Sequence, residues 1–401
     1  MGTFVAAAPA FPGVAIAGCG AVSALGLGLE PLAQALHANT SGLRPGKGVS
    51  GQGSQDTVAG WIPEEVLGRL RAEDPARADA RAFLLAHSAL TQAADWEVGA
   101  AVPGTRRGLV LSTTKADIEA LERLFHRQPC SPTAQRHVHP AWLAADLAEA
   151  HAIEGPRQCV SAACISGLLA IQQGAALIRR GAADLVFVVG VDLVSQFVLN
   201  GFAALKSLDP AGCRPFDRDR AGLTLGEGAG AIALVRSDLR SAAAVRVTGW
   251  GTSNDANHLT GPSRDGSGLA LAIRRALAKA GLAPEAIDYI NAHGTGTPFN
   301  DHMESLALRA VFGERVPPFS AHKGMLGHTL GAAGVLETIL CLIAARAHRL
   351  PGTPRLQNRD PAAPDSLIPT PRPATRLRRI LKVNCGFGGT NGALVLETSA
   401  A

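Results

Sequence analysis

Aromatic side chains are scarce in this 401-residue chain, where Phe, Trp and Tyr together make up 4%. Without aromatics interleaved among basic residues there is little on which bases could stack. The formal net charge of +5, with Arg greatly outnumbering Lys, is too mild for a dedicated nucleic-acid binder and suits occasional contact with an acidic partner. Long apolar runs are lacking as well. None reaches the ~18 residues of a membrane span, and Leu185 to Val191 suits a buried strand instead. The opening residues Met1 to Pro12 are apolar but carry no basic n-region, so they read as a short ragged start rather than a signal peptide. The seven cysteines are odd in number and show neither paired nor metal-type spacing, which fits a reducing cytosol rather than a disulfide framework. A soluble, cytoplasmic protein is expected, with no membrane, nucleic acid or metal among its partners.

Apolar residues make up 47% of the chain, ample for one large core or two fused ones. Val14 to Ala17 reads as a first strand running into a tight turn at Gly18-Cys19-Gly20, followed by a helix through Leu32 to Leu36. Arg44 to Gln55 is Gly- and Ser-rich and reads as loop. Helix is predicted over Ala80 to Ala94, a buried strand over Gly108 to Ser112, and a helical excursion covering a pocket over Thr113 to Pro140. Further strands are predicted at Asp184–Val191, Ala231–Val235, Val245–Gly249, Ile287–Asn291, Ile380–Val383 and Ala393–Leu396. Helices fall at Trp142–Ala150, Gly268–Ala280, Met303–Val311 and Leu330–Ala347. The alternation predicts an α/β protein with largely parallel, helix-covered sheets. The order of elements suggests two similar halves, residues 1–240 and 241–401, dividing near Ser237 to Ala244.

Chemistry concentrates in Val160-Ser161-Ala162-Ala163-Cys164-Ile165-Ser166-Gly167. Small residues lead to one thiol, after which Ile165, Leu168, Leu169, Ile171, Ala175 and Ile178 give an apolar helical face that Gly181 can stop. A sulfur at a helix start meets unpaired N–H groups and the positive end of the dipole, both of which favour thiolate. The same N–H groups could hold the oxygen of a thioester on that sulfur. Three Gly-rich stretches follow at element ends: Asn291-Ala292-His293-Gly294-Thr295-Gly296-Thr297-Pro298, then Lys323 to Gly334 around Gly327-His328-Thr329, and Asn384-Cys385-Gly386-Phe387-Gly388-Gly389-Thr390. One thiol with two glycine-flanked histidines, all at element ends, is a selective combination.

These motifs, in this order, resemble the β-ketoacyl-acyl carrier protein synthases, condensing enzymes of the thiolase superfamily. The resemblance runs from about Val14 to Thr398 and includes Arg214-Pro215-Phe216-Asp217 and Gly226-Glu227-Gly228-Ala229-Gly230. It implies a thiolase-like fold, two similar halves forming a layered α-β-α-β-α arrangement. It also implies an acyltransferase that condenses malonyl-carrier protein, with loss of carbon dioxide, onto an acyl chain held by cysteine. Cys164 would be the nucleophile, and His293 and His328 would donate to the malonyl thioester carbonyl. Lys323 would stand behind the histidines with Glu337 as its carboxylate partner. Backbone N–H groups of Cys164 and Phe387 would form the oxyanion hole. Phe387 would gate the acyl pocket on Gly388 and Gly389, and Thr295 and Thr297 would bond the phosphopantetheine arm.

No cofactor or metal is implied, since the phosphopantetheine belongs to the acyl carrier protein, whose acidic surface would meet arginines near the entrance. The family implies a dimer, either a homodimer or a heterodimer with a related ketosynthase or chain-length-factor subunit. Two departures stand out. Cys385 replaces the aromatic that elongating synthases commonly carry two residues before the gating phenylalanine, and Thr113-Thr114-Lys115 replaces a glycine-rich turn that normally borders the far end of the acyl pocket. The latter form looks like variants attached to aryl polyene and related pigment pathways, leaving fatty-acid and polyene or polyketide assembly both open. Two alternatives remain on the residues: a thiolase-type enzyme using Cys385 as base, and a non-catalytic chain-length-factor-like subunit, against which Cys164 speaks.

Overall fold

The computed structural model describes residues 13–46, 57–95, 105–239 and 245–398. The apolar start Met1 to Pro12, residues 47–55 of the Gly/Ser-rich stretch and residues 240–244 of the expected boundary lie outside the described residues.

Ten strands carry the architecture. The first half supplies β1 (Val14–Ser23), β2 (Arg107–Ser112), β3 (Arg157–Val160), β4 (Leu185–Asp192) and β5 (Gly228–Arg236). The second supplies β6 (Arg246–Asn254), β7 (Tyr289–Asn291), β8 (Phe319–Ser320), β9 (Arg379–Gly386) and β10 (Thr390–Glu397). Read outward from the middle, one half runs β1-β5-β4-β2-β3 and the other β6-β10-β9-β7-β8, the same order twice. The two meet through the antiparallel contact of β1 with β6, where Ala15 faces Arg246. β2 runs parallel to β3 and β4, and β7 to β8 and β9. The remaining pairings, β4–β5, β5–β1, β9–β10 and β10–β6, are antiparallel. The sheets are therefore mixed rather than largely parallel, because the last strand of each half returns beside its predecessor and then pairs with the first.

Three helix layers sandwich these strands. α1 (Leu29–Ala38), α2 (Arg81–Asp95), α3 (Ser166–Arg179), α4 (Ser267–Ala280), α5 (Pro298–Phe312) and α6 (Ala333–Ala347) are the main ones. α3 and α6 share one core with Val186 and Ile232 from the first half and Ile380 and Leu394 from the second. The opposite sheet faces pack on α2, through Leu109, Phe187 and Ala231, and on α4 and α5, through Leu381, Val383 and Val395. The order is α-β-α-β-α. Burial on both faces explains why β4 reads Leu-Val-Phe-Val-Val-Gly-Val as one apolar run. The central layer also explains the segment Leu330–Ala347. Its 18 residues and mean hydropathy of 1.7 reach the length and apolarity of a span, contrary to expectation, yet 83% of it is buried between the two sheets.

Other differences are local. Gly18-Cys19-Gly20 lies inside β1 rather than in a turn, and a Cβ on Gly20 would stand 2.2 Å from the Ala89 carbonyl oxygen of α2, so glycine there admits the helix. Arg44–Gly46 forms a short strand with Thr57–Ala59. Residues 113–140 are helical in part, at Ile118–Phe125 and Pro132–Arg136, but line no part of the large cavity described below.

Candidate active site

Strands β3, β7, β8 and β9 point their carboxyl ends at one place, where loops outside parallel strand ends commonly build sites. Cys164 follows β3, His293 follows β7, Lys323 and His328 follow β8, and Phe387 follows β9. The helix after Cys164 starts at Ser166, so the sulfur sits in the turn before it rather than in its first turn. That turn is strained: Ala163 holds φ +49, a cost of order 1–3 kcal/mol for a residue with a side chain. Ser166 Oγ fastens it, accepting from Ala162 N at 2.8 Å and donating to Ala163 O at 2.6 Å. Gly167 and Gly334 let the amino ends of α3 and α6 touch, since a Cβ on Gly334 would lie 2.4 Å from Leu168 N and one on Gly167 2.8 Å from Val335 N. Those two glycines bring the cysteine turn against the loop that carries His328.

The sulfur of Cys164 lies 3.0 Å from His328 Nε2. The His293 and His328 rings meet edge to face with centroids 5.4 Å apart. His293 Nδ1 faces two donors, Lys323 Nζ at 3.1 Å and Asn384 Nδ2 at 2.9 Å. His328 Nδ1 accepts from Leu330 N at 3.3 Å. With each Nδ1 occupied as an acceptor, the ring proton of each neutral imidazole belongs on Nε2. Burial, reinforced by the Lys323 ammonium, holds both imidazoles well below the usual histidine range, so they stay neutral and donate from Nε2.

Lys323 is fully buried and donates to Glu337 Oε1 at 2.6 Å and to His293 O at 2.7 Å. The pair is therefore buried on both sides rather than an exposed surface ion pair. Burial would raise the Glu337 carboxyl, but Lys323 and Lys382 outweigh it and bring it down to about 2. Lys382 Nζ lies 2.8 Å from Glu337 Oε2, and Asn384 Nδ2 donates to the same oxygen at 3.1 Å. Neither Lys382 nor Asn384 was singled out from sequence. The signal was present in β9, where a lysine interrupts an apolar run and Ile380, Lys382, Asn384 and Gly386 share one face. Glu304 was missed as well; its carboxylate accepts from His293 N at 2.6 Å and Gly294 N at 2.8 Å and fixes the histidine loop on α5.

The expectation of a thiolate at Cys164 is reversed. Apolar Val194, Leu199, Leu223 and Leu330 pack with it, and burial pushes the thiol up to about 11 although Lys323 and the Phe387 N–H pull the other way. The desolvation cost exceeds what the nearby donors return. Since thiolate is the reactive form, alkylation of Cys164 by iodoacetamide is expected to rise about tenfold per pH unit from pH 7 to 9 without a plateau. Peptide mass spectrometry of the labelled cysteine follows it, and a plateau below pH 8 would contradict the buried thiol.

A cavity of about 500 Å³ leads to these groups, with Cys164, His293, His328, Thr295, Thr297, Cys385 and Phe387 among its walls. Cys164 and both histidines are buried at its inner end, while Phe299 (80% exposed) and Leu205 (50%) stand at its mouth. The Phe387 N–H faces the sulfur, and the Cα of Gly386 lies beside Cys164 N, where an added Cβ would be 3.1 Å away. The Phe387–Gly389 turn carries Gly388 at φ +81, and the Phe387 ring stacks on Phe202 at 5.7 Å. Thr295 and Thr297 hydroxyls bond each other at 2.8 Å on the cavity wall. Lys206 is the one lysine or arginine among the lining residues, rather than an arginine; Arg220 is tied to Asp360 beside the mouth.

Three sequence markers do more for the frame than for the site. Glu227 pairs with the buried Arg81 and accepts from Ile62 N and Val194 N. Asp217 accepts from Gln357 N and Asn358 N. Thr113 and Thr114 bond the buried Asp192, which also takes Gly331 N at 2.6 Å, so this loop braces the turn after His328 instead of lining the cavity. Cys385 lines the cavity on the other face of β9, and burial holds it protonated, well above the usual thiol range, which disfavours it as a thiolase-type base. No cluster of three or more potential metal ligands occurs among the described residues.

Comparison with known proteins agrees with this geometry. The family model "Beta-ketoacyl synthase, N-terminal domain" matches residues 12–239, and "Beta-ketoacyl synthase, C-terminal domain" matches residues 244–357. The chain is 30% identical to 3-oxoacyl-[acyl-carrier-protein] synthase 2 of Coxiella burnetii, over 96% of this chain and 98% of that one. Among solved structures it is similar to the ishigamide ketosynthase/chain length factor, with TM-score 0.88, 33% identity and coverage of 98% and 100%. It is also similar to the ketosynthase ApeO in complex with its chain length factor ApeC from Xenorhabdus doucetiae, with TM-score 0.84, 31% identity and coverage of 98% and 99%.

Proposed function

Because this chain belongs to the β-ketoacyl synthase family, we propose that it performs a decarboxylative Claisen condensation, with each group of the site in a defined role. The supporting observation is the convergence of one sulfur and two neutral Nε2–H donors at the inner end of a single cavity.

Cys164 attacks the thioester carbonyl of an acyl chain delivered on acyl carrier protein. The Cys164 and Phe387 N–H groups take the oxyanion of the tetrahedral intermediate. The phosphopantetheine sulfur leaves and takes up the proton that the cysteine gives, so the exchange is proton-neutral. Malonyl-carrier protein then enters the same cavity, with Thr295 and Thr297 beside its pantetheine arm. The bond to its carboxylate breaks, carbon dioxide departs, and the electron pair passes into an enolate whose oxygen accepts from His293 and His328 Nε2. The enolate carbon attacks the acyl carbon on Cys164, a carbon–carbon bond forms, and the carbon–sulfur bond breaks. The sulfur leaves as thiolate and takes up one proton from solvent, so the products are a 3-oxoacyl-carrier protein, carbon dioxide and a free cysteine thiol. The histidines donate throughout and are never protonated, and their contribution appears only as charge develops on the enolate oxygen. This chemistry calls for no resident metal or cofactor.

The partners in this reading are acyl carrier protein and a second ketosynthase-like subunit, identical or of the chain-length-factor type, in the cytoplasm. Phe125, Trp142 and Phe197 are 83%, 50% and 59% exposed, which supports a covering subunit. The acyl chain belongs to fatty-acid or polyene and polyketide assembly, the Thr113-Thr114-Lys115 loop favouring the aryl polyene type.

Intact-protein mass spectrometry after incubation with a panel of acyl-carrier proteins, coupled to a carbon dioxide assay with malonyl-carrier protein, tests the proposal. An acyl adduct on Cys164 together with carbon dioxide release is expected, and the best-loaded chain identifies the pathway. A requirement for acetyl-coenzyme A with no carbon dioxide would indicate a thiolase, and no adduct at all a non-catalytic subunit.

A further inference from the structure

The most unusual chemistry among the described residues lies behind the reacting groups. Lys382 projects from β9 into the central layer with its side chain fully buried. β9 pairs on one side with β7, where Lys382 faces Asn291, and on the other with β10, where it faces Leu394. Its ammonium lies 2.8 Å from Glu337 Oε2 and donates to Val383 O at 2.5 Å. Glu337 Oε1 is held by the Lys323 ammonium at 2.6 Å. One carboxylate is thus shared by two fully buried lysines, one cationic side chain more than an ion pair needs. Burial lowers the Lys382 ammonium from its ordinary range and Glu337 opposes that; Cys341 of α6, pushed up to about 12 by burial, faces it as a neutral thiol.

We propose that Lys382 is a positioning residue of the decarboxylation step: by holding the second oxygen of Glu337 it keeps Lys323 and Asn384 directed at His293 Nδ1, and it leaves the buried cluster one positive charge in excess, facing the place where the enolate forms. Asn384 is the link. Its amide nitrogen bridges Glu337 Oε2 at 3.1 Å and His293 Nδ1 at 2.9 Å, so a shift of the carboxylate shifts the donor on the ring. Lys323 makes the same connection from Oε1. The carboxylate is gripped at both ends, and His293 is orientated by two donors anchored on that one carboxylate.

The groups facing His293 come from every neighbouring element. They are Lys382 and Asn384 from β9, Glu337 from α6, Lys323 from the Lys323–Leu326 turn, His328 from the loop that follows, and Glu304 of α5 on its backbone nitrogen. His322, beside Lys323, is buried and bonded to Asn291, and burial takes it down to about 3, so it adds no charge. Both Lys323 and Lys382 act on His293 in the same sense and favour the neutral ring. Protonation at Nδ1 would set an N–H against the Lys323 and Asn384 donors, turning two supports into two repulsions.

This inference rests on the decarboxylation role of His293 in the proposed function, and two readouts separate them. The first needs no substrate: ¹⁵N NMR of histidine-labelled protein titrates His293 in wild type and in Lys382→Met. Loss of the positive charge raises the pKa of His293, so its titration is expected to move up by about one pH unit or more. The second is malonyl-carrier decarboxylation against pH. In Lys382→Met the acid limb should move to higher pH by a similar amount, and kcat should fall about ten- to a hundredfold more than the rate of Cys164 acylation. Lys382→Gln keeps a donor to Glu337 without charge, so it should shift the acid limb as the methionine variant does while losing less kcat, whereas Lys382→Arg keeps the charge and should restore the acid limb. That pair stands in if Lys382→Met does not fold. An unshifted His293 titration, or equal losses in the Arg and Gln variants with no movement of the limb, would overturn the inference. A wild-type protein that loads acyl chains but releases no carbon dioxide would overturn the proposed function while leaving the NMR comparison valid.

Discussion

His293→Ala and His328→Ala each lower malonyl decarboxylation by about 10²–10³-fold, the usual effect of deleting one preorganised oxyanion donor and equivalent to about 3–4 kcal/mol. The expectation follows from protonation as much as from position. Each ring has its Nδ1 engaged as an acceptor, His293 by Lys323 and Asn384 and His328 by the Leu330 N–H, which leaves Nε2–H as the only proton to offer. Burial and the Lys323 charge keep both rings neutral, so the donors lose nothing to titration near neutral pH. The sign is fixed by those depressed values: protonation begins only well below the usual histidine range of about 6.5, and histidine-controlled decarboxylation should be flat from about pH 6 to 8. Steady-state carbon dioxide release across that range measures both effects. The two losses should not be equal in acylation, because His328 Nε2 also lies 3.0 Å from the Cys164 sulfur and His293 has no such contact. Slower loading of Cys164 is therefore expected in His328→Ala than in His293→Ala. Full decarboxylation in both alanine variants would remove the histidines from the step altogether.

The reacting residues were legible because each sits in a short pattern whose local physics is informative. A cysteine among small residues before an amphipathic helix and a histidine between a strand and glycines both predict an element end, and element ends are where sites form. Glu337 could be matched to Lys323 only through family likeness; its 14-residue separation and its place in a helix buried all round say nothing of the pairing until β8 and α6 are packed. What stayed hidden depends on faces meeting. Lys382 and Asn384 matter only because β9 lies against α6, and a strand's partner is not written in its own alternation. The charge state of Cys164 went wrong for the same reason. The start of α3 promised a dipole, but the apolar side chains that desolvate the sulfur, Val194, Leu199, Leu223 and Leu330, come from three separate stretches of the chain. Gly18 to Gly20 read as a turn because glycine usually marks one, whereas here its missing side chain makes room for α2.

Cys164→Ala should abolish acyl transfer, a loss on the order of 10⁴-fold or more, since nothing else at the inner end of the cavity can hold the chain as a thioester. Cys385 is no substitute. It lies on the opposite face of β9, its thiol is held protonated by burial, and the residue beside the nucleophile is Gly386. The substitution leaves intact the groups on which the other half-reaction depends: His293 keeps Lys323 and Asn384, Glu337 keeps both ammonium groups, and His328 Nδ1 keeps the Leu330 N–H. His328 Nε2 gives up only its contact with sulfur and is freed to face the cavity. The ratio of carbon dioxide released to 3-oxoacyl product should consequently rise by orders of magnitude, because malonyl-carrier protein still loses its carboxylate while the enolate finds no acyl carbon and is protonated instead. Removing one buried sulfur costs about 1–2 kcal/mol of stability by the usual large-to-small scale, too little to unfold a core of this size. Parallel measurement of intact mass and carbon dioxide on the alanine variant reads both halves at once. Simultaneous loss of the two would mean that the sulfur and the imidazoles act as one indivisible unit rather than as a holder of the chain and a separate cradle for the enolate.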